Sequence, residues 1–262
     1  MHKPRPFVDL HLHAEGLSDT DLSTLALFGL VAAVTCAHDT PGPRAEDVKE
    51  HWDELVQIQV KRLSSHGIRP LVALGLHPAR IPWQGTQELL HELPRYFNDP
   101  RVAALGELGF SEGTPREEEV LLAQLELARQ IRKPVIIHTP AIDKLMHTRR
   151  LLSLVKESRV EAEKVLLDHN TAETLPLVRA LGFWAGLTVQ PGGLDAVQAS
   201  AILKKHGADG VVLTSDVGDG ASDLLALPRA AEALLSAGLS EALCRRALHD
   251  GPMTFLRLPE IV

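Results

Sequence analysis

The sequence predicts an α/β fold of the (β/α)8 class, a TIM barrel, from three observations. Short apolar runs alternate with longer segments that carry apolar residues at helical spacing, and eight such pairs fill the chain. Runs such as 134–138 and 164–169 are apolar on both faces, as expected for parallel strands covered by helices. Polar residues mark nearly every predicted strand end. No G-x-G-x-x-G motif follows the first run, which counts against the rival fold, an open doubly wound sheet.

The predicted elements follow one another along the whole chain. The strands are residues 7–13, 31–37, 70–76, 102–108, 134–138, 164–169, 183–189 and 210–216. The helices are residues 18–29, 44–66, 86–98, 115–132, 141–158, 171–181, 193–206 and 221–237. A Thr114-Pro115 start signal and a glycine, Gly182, just after a helical stretch support these boundaries. The last stretch predicts an extra C-terminal helix, followed by a tail that packs on the barrel.

The composition is that of an ordinary globular chain without a broad basic surface. Hydrophobic residues make up 45% of the chain, and its formal charge is −7 at pH 7. This charge balance provides no broad basic surface for binding nucleic acid, but it does not exclude a local basic groove. The two distant cysteines, Cys36 and Cys244, predict reduced, buried thiols. No Pro/Gly/Ser-rich linker, charge block or low-complexity tract divides the sequence, so we expect one domain over residues 1–262. Because no apolar leader and no run of ~20 apolar residues is present, we expect the protein in the cytoplasm, away from membranes.

The first predicted strand carries an acid and two imidazoles at alternate positions. Successive side chains of a strand point to opposite faces, so Asp9, His11 and His13 are predicted to share one face. This pattern alone is compatible with a solvated strand end. In a barrel, however, the carboxyl ends of all the strands form one mouth, where active sites are built. The other strand ends therefore decide the interpretation.

Five predicted strands place histidines or carboxylates at this mouth. These residues are His11, His13, Glu107, His138, His169 and Asp216. Any one of them could be a satisfied core residue, but ionisable groups among apolar neighbours are costly to bury unless they are paired or metal-bound. Imidazoles and carboxylates together suit one or two divalent ions, such as zinc, manganese, magnesium or nickel. Two ions would activate a bridging water or hydroxide, with Asp216 as general base.

These motifs together resemble the TatD family of metal-dependent hydrolases, within the amidohydrolase superfamily. They are Asp9-x-His11-x-His13, Gly75-Leu76-His77-Pro78, Gly106-Glu107-Leu108-Gly109, Ile136-Ile137-His138, His169 and Ser215-Asp216. The resemblance covers essentially the whole chain and implies a distorted TIM barrel with deoxyribonuclease or related phosphoesterase activity. It also implies two metal sites that share Glu107. The first would add His11, His13 and Asp216, and the second would add His138 and His169.

The chain departs from the family pattern around the implied ligands. After His138 it has Thr139-Pro140-Ala141, where TatD proteins carry a small residue, an arginine and an aspartate. After Asp216 it has Val217-Gly218 in place of Ala-Pro-Tyr-like residues. The ligands fit the family and the substrate-contacting residues do not. The sequence therefore predicts a divergent TatD-related hydrolase.

Several other residues near the predicted strand ends receive roles. His77, before Pro78, is predicted to bind substrate as a hydrogen-bond donor to an anionic group, and the alternative is a role as a stiff loop element. Asp9 is expected deeper in the barrel, where it orients a histidine or closes the floor. Asp168 is expected to face away from His169, because neighbours on a strand alternate. For His38 and Asp39, a loop-capping role and a site role are both open.

Three classes of function follow. The leading hypothesis is a hydrolase in which a metal-bound hydroxide attacks a phosphoester of a small molecule or a nucleic acid, with Asp216 and Glu107 as catalytic residues. The alternative is hydrolysis of an amide or lactone, since the same ligand set serves those reactions elsewhere in the superfamily. The third hypothesis is a barrel kept as a non-catalytic scaffold, and six convergent titratable groups argue against it. The sequence leaves the metal, the substrate and the oligomeric state open.

Overall fold

The computed structural model describes residues 4–38 and 42–259, and within them eight parallel strands alternate with helices. Neighbouring strands in the sheet follow the order of the chain, from β1 to β8. The strands are β1 Phe7–Leu12, β2 Leu30–Cys36, β3 Arg69–Leu74, β4 Val102–Gly109, β5 Val135–His138, β6 Val165–Leu167, β7 Trp184–Thr188 and β8 Val211–Thr214. The predicted TIM barrel is confirmed.

The α-helices of the described residues form the outer layer and the C-terminal segment. They are α1 Asp19–Leu27, α2 Ala45–Glu54, α3 Val60–Ser65, α4 Thr86–Glu92, α5 Pro115–Ile131, α6 Lys144–Ser158, α7 Leu175–Ala180, α8 Ala196–His206, α9 Ala226–Ser236, α10 Glu241–Arg245 and α11 Gly251–Leu256. A π-helical segment, Leu55–Gln59, joins α2 to α3, and a second one, Arg246–Asp250, joins α10 to α11. Within the described ranges, no helix has the length and apolarity needed to cross a bilayer.

The amino-terminal half of the barrel interior is apolar, and the C-terminal segment closes it. Side chains from the strands form one buried cluster with α11; its members include Val8, Leu10, Leu71, Ile136, Trp184, Val212, Met253, Phe255 and Leu256. The ring centroids of Phe255 and Trp184 lie 6.0 Å apart. The extra C-terminal helix predicted from the sequence therefore packs against the lower end of the barrel and leaves the carboxyl end for the site.

The barrel closes between β8 and β1 through contacts just beyond the end of β8. The backbone N–H of Asp216 donates to the carbonyl of His11 at 2.9 Å, and that of His13 donates to the carbonyl of Val217 at 2.8 Å. An isolated bridge pairs Leu12 with Val217. This irregular seam lies at the carboxyl end, so the closure of the barrel also fixes the backbone that carries the predicted ligands.

Strand β1 does not keep the strict alternation that the sequence suggested. Its register against β2 shifts between Asp9 and Leu12. Leu10 belongs to the inner apolar cluster, and its neighbour His11 also points into the barrel mouth. The Asp9 carboxylate accepts hydrogen bonds from the backbone N–H of His11, at 3.1 Å, and from the hydroxyl of Ser215. The expectation that Asp9 shares a face with the two histidines was wrong, because this irregularity directs it to the seam with β8.

Candidate metal centre

The structure brings the six predicted ligands together at the carboxyl end of the barrel. His11 lies in β1 and His13 directly after it, Glu107 lies in β4, and His138 ends β5. His169 and Asp216 were predicted to end their strands, but they lie beyond the ends of β6 and β8, because these strands stop two residues earlier than predicted. Both have positive φ angles, of 58° and 57°, which non-glycine residues adopt rarely. The chain therefore turns at these two positions and directs both side chains back toward the mouth.

Glu107 lies at the centre of the cluster, and each of its oxygens faces a different pair of imidazoles. Oε2 is 3.1 Å from Nε2 of His11 and 3.8 Å from Nε2 of His13. Oε1 is 3.2 Å from Nδ1 of His138 and 3.7 Å from Nε2 of His169. One carboxylate thus divides four imidazoles into two pairs.

Asp216 joins the first of these pairs. Its Oδ1 atom is 3.0 Å from Nε2 of His13 and 3.4 Å from Nε2 of His11. Two carboxylates and two imidazoles therefore converge on one point. The second pair, His138 and His169, meets Glu107 alone among these carboxylates, with the two ring centroids 4.8 Å apart.

The outer nitrogens of three of these histidines have partners deeper in the barrel. Nδ1 of His11 donates to the Asp168 carboxylate at 2.8 Å, and Nδ1 of His13 donates to the carbonyl of Cys36 at 3.1 Å. Nδ1 of His169 donates to the hydroxyl of Thr188 at 2.8 Å. Such partners fix the tautomer, so the lone pair of each Nε2 points into the centre.

Two of those inward nitrogens are buried without a hydrogen-bond partner of suitable geometry. They are Nε2 of His11 and Nε2 of His169, one from each pair. A buried polar atom that makes no hydrogen bond is costly and calls for a specific explanation. A divalent cation supplies one, because a neutral imidazole with its other nitrogen held by an acceptor is a common metal ligand. The described residues therefore form a cluster that can bind one or two divalent metals.

Charges within the cluster hold its carboxylates in the ionised form. Burial alone would raise the pKa of Glu107, but the charge on His11 and the hydrogen bonds with His11, His138 and His169 together outweigh it and hold that pKa well below its usual range. The pKa of Asp216 is lowered in the same way, against burial, by His11 and by the hydrogen bond with His13. Burial by itself would lower the pKa of His11, but Glu107 and the other nearby anions raise it well above its ordinary value. Without a metal, the proton of His11 balances part of this negative charge.

The position of Asp168 differs from the one expected from the sequence. The motif analysis also missed its role as a partner of His11. Its side chain is fully buried beneath the centre, where it accepts hydrogen bonds from His11 and from the hydroxyls of Thr188 and Thr214 at 3.1 and 3.0 Å. It does not face away from the site, because the strand ends at Leu167 and alternation no longer applies. A Cβ atom at Gly186 would lie 2.0 Å from the Asp168 carboxylate, so only glycine leaves room for it.

His77 lies beside the second pair, and its role in substrate binding stays a prediction. Its ring centroid is 5.3 Å from that of His138, and it forms a group with Glu107 and His138 whose ligand atoms lie within 4.8 Å of one another. The backbone N–H of Ala79 donates to Nδ1 of His77 at 3.3 Å, which leaves the proton of the neutral ring on Nε2. Burial lowers the pKa of His77 to about 3, so the ring stays neutral at physiological pH.

His38 lies on the other side of the mouth. Its Nε2 atom is 3.0 Å from Oε1 of Glu15, and its ring centroid is 4.2 Å from that of His13. His38 therefore borders the centre and is also held by a loop contact, which leaves both of its predicted roles open. Asp39, which was considered together with it, lies outside the described residues.

Comparison with known proteins agrees with this geometry. Residues 8–216 match the profile of the family described as TatD related DNase. The chain is 33% identical over 253 residues to an uncharacterised metal-dependent hydrolase of Methanocaldococcus jannaschii, covering 96% of this chain and 100% of the relative. The chain belongs to the TatD family and is a metal-dependent hydrolase.

Solved structures share the architecture. A TatD-like protein of Archaeoglobus fulgidus superimposes with a TM-score of 0.81 at 30% identity, over 96% of this chain and 100% of that chain. A phosphotriesterase homology protein of Escherichia coli, complexed with phosphate in its active site, gives a TM-score of 0.73 at 17% identity, over 97% of this chain and 99% of that chain. At that identity the second likeness concerns the fold alone.

Proposed function

We propose that the protein hydrolyses phosphoester bonds with two divalent cations held on either side of Glu107. One observation carries this proposal: the two oxygens of a single buried carboxylate face two separate imidazole pairs, at 3.1 Å from His11 and 3.2 Å from His138. A carboxylate that faces ligands on both sides is suited to bridge two ions. In two-metal sites the ions stand about 3.5–4 Å apart.

The chain offers a distinct ligand set to each ion. His11, His13 and Asp216 would hold the first with Oε2 of Glu107, and His138 and His169 would hold the second with Oε1. When bound, two such ions supply Lewis acidity to the phosphoryl oxygen and lower the pKa of a bound water. Asp168, Cys36 and Thr188 act behind the ligands, since each accepts a hydrogen bond from the outer nitrogen of one histidine.

Two further residues would handle protons and substrate. Asp216 stays ionised because its pKa is lowered against burial by His11, so its carboxylate can accept a proton from the attacking water. His77 is neutral and keeps its proton on Nε2, so it can donate a hydrogen bond to a substrate oxygen without carrying a charge. The lower end of the barrel is closed by α11, so substrate enters from the carboxyl end.

The family description supports a phosphoester, and within that class a deoxyribonuclease is the narrower proposal. Hydrolysis of an amide or lactone is the second candidate. The residues after His138 favour it, because Thr139-Pro140-Ala141 lacks the arginine that TatD proteins place there. The cytoplasmic location and the zinc, manganese, magnesium or nickel identity of the ions stay predictions.

A hydrolysis panel tests the proposal. The protein, loaded in turn with zinc, manganese, magnesium or nickel, is assayed with single-stranded and duplex DNA, p-nitrophenyl phosphomonoesters and diesters, lactones and N-acyl compounds. We expect turnover of phosphoesters that chelators remove and added metal restores. Turnover confined to lactones or N-acyl compounds would contradict the phosphoester proposal and support the second candidate. Glu126→Gln, which removes an exposed carboxylate on α5, serves as the control with unchanged rates.

A further inference from the structure

The loop between β3 and α4 carries an exposed tryptophan at the barrel mouth. Trp83 is 80% exposed, although tryptophan is usually largely buried. The same loop contains His77, whose ring lies beside His138 at the metal centre. Trp83 lies six positions after His77 in the chain, so the two Cα atoms lie no more than about 22 Å apart. The indole is therefore within reach of a substrate that extends from the centre.

Contacts from the start of α5 hold this loop in place. The guanidinium of Arg116 lies 4.6 Å from the centroid of the Trp83 ring, within the range of a cation–π contact. The same guanidinium donates to the carbonyl of Pro82 and, at 3.3 Å, to the hydroxyl of Thr86. That hydroxyl donates to the Pro82 carbonyl at 2.6 Å. Arg116 thus covers one face of a braced indole, and the high exposure of Trp83 leaves the other face open.

Two further exposed apolar side chains lie in the segment that follows β5. Ile142, in the loop after β5, is 76% exposed, and Met146, in the first turn of α6, is 58% exposed. Single exposed apolar residues are ordinary on protein surfaces. Here Trp83, Ile142 and Met146 follow β3 and β5, and Arg116 follows the strand between them. Exposed apolar side chains therefore occur in the segments that follow β3 and β5, the two strands that flank the strand of Glu107.

We propose that Trp83, braced by Arg116, is a specificity subsite on which a planar ring of the substrate stacks, with a base of a single-stranded oligonucleotide as its occupant. Stacking suits a rigid, open indole face and tolerates any base, because every base presents a π-face. The positive charge of Arg116 adds attraction for a neighbouring phosphate. This inference rests on the proposed phosphoester activity and names the part of the substrate that lies beyond the metals.

Tryptophan fluorescence tests it directly. The chain has three tryptophans, and Trp52 and Trp184 are 0% and 8% exposed, so a ligand at the mouth alters the emission of Trp83. Turnover is blocked by Asp216→Asn, and this protein is titrated with a short oligothymidylate and with an abasic oligonucleotide of the same length. We expect saturable quenching by the oligothymidylate alone, and its loss in Trp83→Phe.

Binding of fluorescein-labelled oligothymidylate, followed by anisotropy in the same Asp216→Asn protein, gives the size of the effect. Trp83→Ala is expected to raise Kd about tenfold, while Trp83→Phe, which keeps an aromatic face, changes it less than about threefold. Ile58→Ala removes an exposed side chain of the outer helix layer and leaves Kd unchanged. The Kd of the abasic oligonucleotide is expected to be the same in all variants.

The outcomes separate this inference from the proposed function. If bases quench the fluorescence of Trp83 but the protein hydrolyses no phosphoester, the subsite is supported and the proposed phosphoester activity is contradicted. Phosphoester turnover without quenching, equal quenching by the abasic oligonucleotide, or an unchanged Kd in Trp83→Ala would overturn the subsite.

Discussion

The two ends of the barrel interior are built from the same strands but carry opposite chemistry. At the lower end Val8, Leu71 and Val212 pack against Phe255 of the C-terminal helix. At the upper end the inward positions are taken by ionisable groups such as Glu107. Phe255 at the lower end and Glu107 at the upper end are nevertheless equally buried, each with 2% of its surface exposed. Burial alone therefore does not distinguish the apolar core at the lower end from the candidate metal centre at the upper end.

The difference lies in what each buried group requires. An apolar side chain is stabilised by contact, and fully burying one contributes about 1.5–3 kcal/mol. A buried charge is costly until it has a partner, and a metal centre supplies such partners. We therefore expect changes at the lower end to alter the free energy of unfolding and changes at the upper end to alter metal binding and turnover. Each prediction below tests this separation.

The largest effect is expected from Glu107→Gln. This change keeps the shape of the side chain but removes the charge that both imidazole pairs face, so kcat should fall by at least about 10³-fold, equal to roughly 4 kcal/mol of transition-state stabilisation. The fold should survive, as measured by circular dichroism, because no apolar contact is lost. Turnover within tenfold of the wild-type rate would show that Glu107 is not the bridging group.

At the opposite end, Phe255→Ala should lower the free energy of unfolding by about 3–5 kcal/mol, because it leaves a cavity against Trp184. Denaturant titration measures this loss. Phe28→Ala, which removes a side chain that is 42% exposed, is the matched control and should cost less than about 1.5 kcal/mol. Metal content should not change in either variant. Loss of metal from folded Phe255→Ala protein would break the proposed separation of the two ends.

A smaller effect on the upper end is expected from Asp168→Asn. Asp168 contacts the outer nitrogen of His11, at 2.8 Å, and in our assignment does not touch a cation. Its replacement should weaken metal affinity about 10- to 100-fold without abolishing binding. Isothermal titration calorimetry measures the change, with Asp209→Asn, at a carboxylate that is 94% exposed, as the control. An affinity equal to wild type would mean that the orientation of His11 does not depend on Asp168.

The smallest expected effect is the pH dependence of metal uptake. Burial opposes protonation of His11, but Glu107 and the other nearby anions raise its pKa well above the ordinary value, so the metal-free protein carries this proton at neutral pH. A cation must displace it, so affinity should rise with pH, by up to about tenfold per unit for one proton. Glu107 and Asp216, whose pKa values are lowered, are already ionised and add nothing in this range. Calorimetry in buffers of different ionisation enthalpy counts the protons released, and pH-independent binding between pH 6 and 8 would contradict the assignment.

The sequence was sufficient for the barrel and for the residues that meet at its mouth. The alternation of strands and helices determines which strand ends lie together, so the six predicted ligands could be grouped without coordinates. The directions of particular side chains could not be derived in this way. Asp168 reaches the site because β6 ends one residue before it, and Asp9 turns to β8 because β1 is irregular. Both depend on where a strand stops pairing, which apolar patterning does not specify.

Motif analysis also could not identify the groups that accept hydrogen bonds from the outer nitrogens of the histidines. Thr188 accepts a hydrogen bond from His169, but a single inward threonine carries no recognisable pattern. The carbonyl of Cys36, which accepts from His13, has no sequence signature. A useful signal was present in the pair Asp168-His169, since an acid directly after a buried apolar run is costly unless it has partners.

The central claim is that Glu107 bridges two divalent cations, and the metal content of the folded protein tests it most directly. Wild-type protein and Glu107→Gln are saturated with zinc or manganese, dialysed, and analysed by inductively coupled plasma mass spectrometry. We expect two ions per wild-type chain and fewer than one per chain in Glu107→Gln, because both sites lose a shared ligand. A wild-type chain that retains fewer than two ions, or a Glu107→Gln chain that retains two, would contradict the claim.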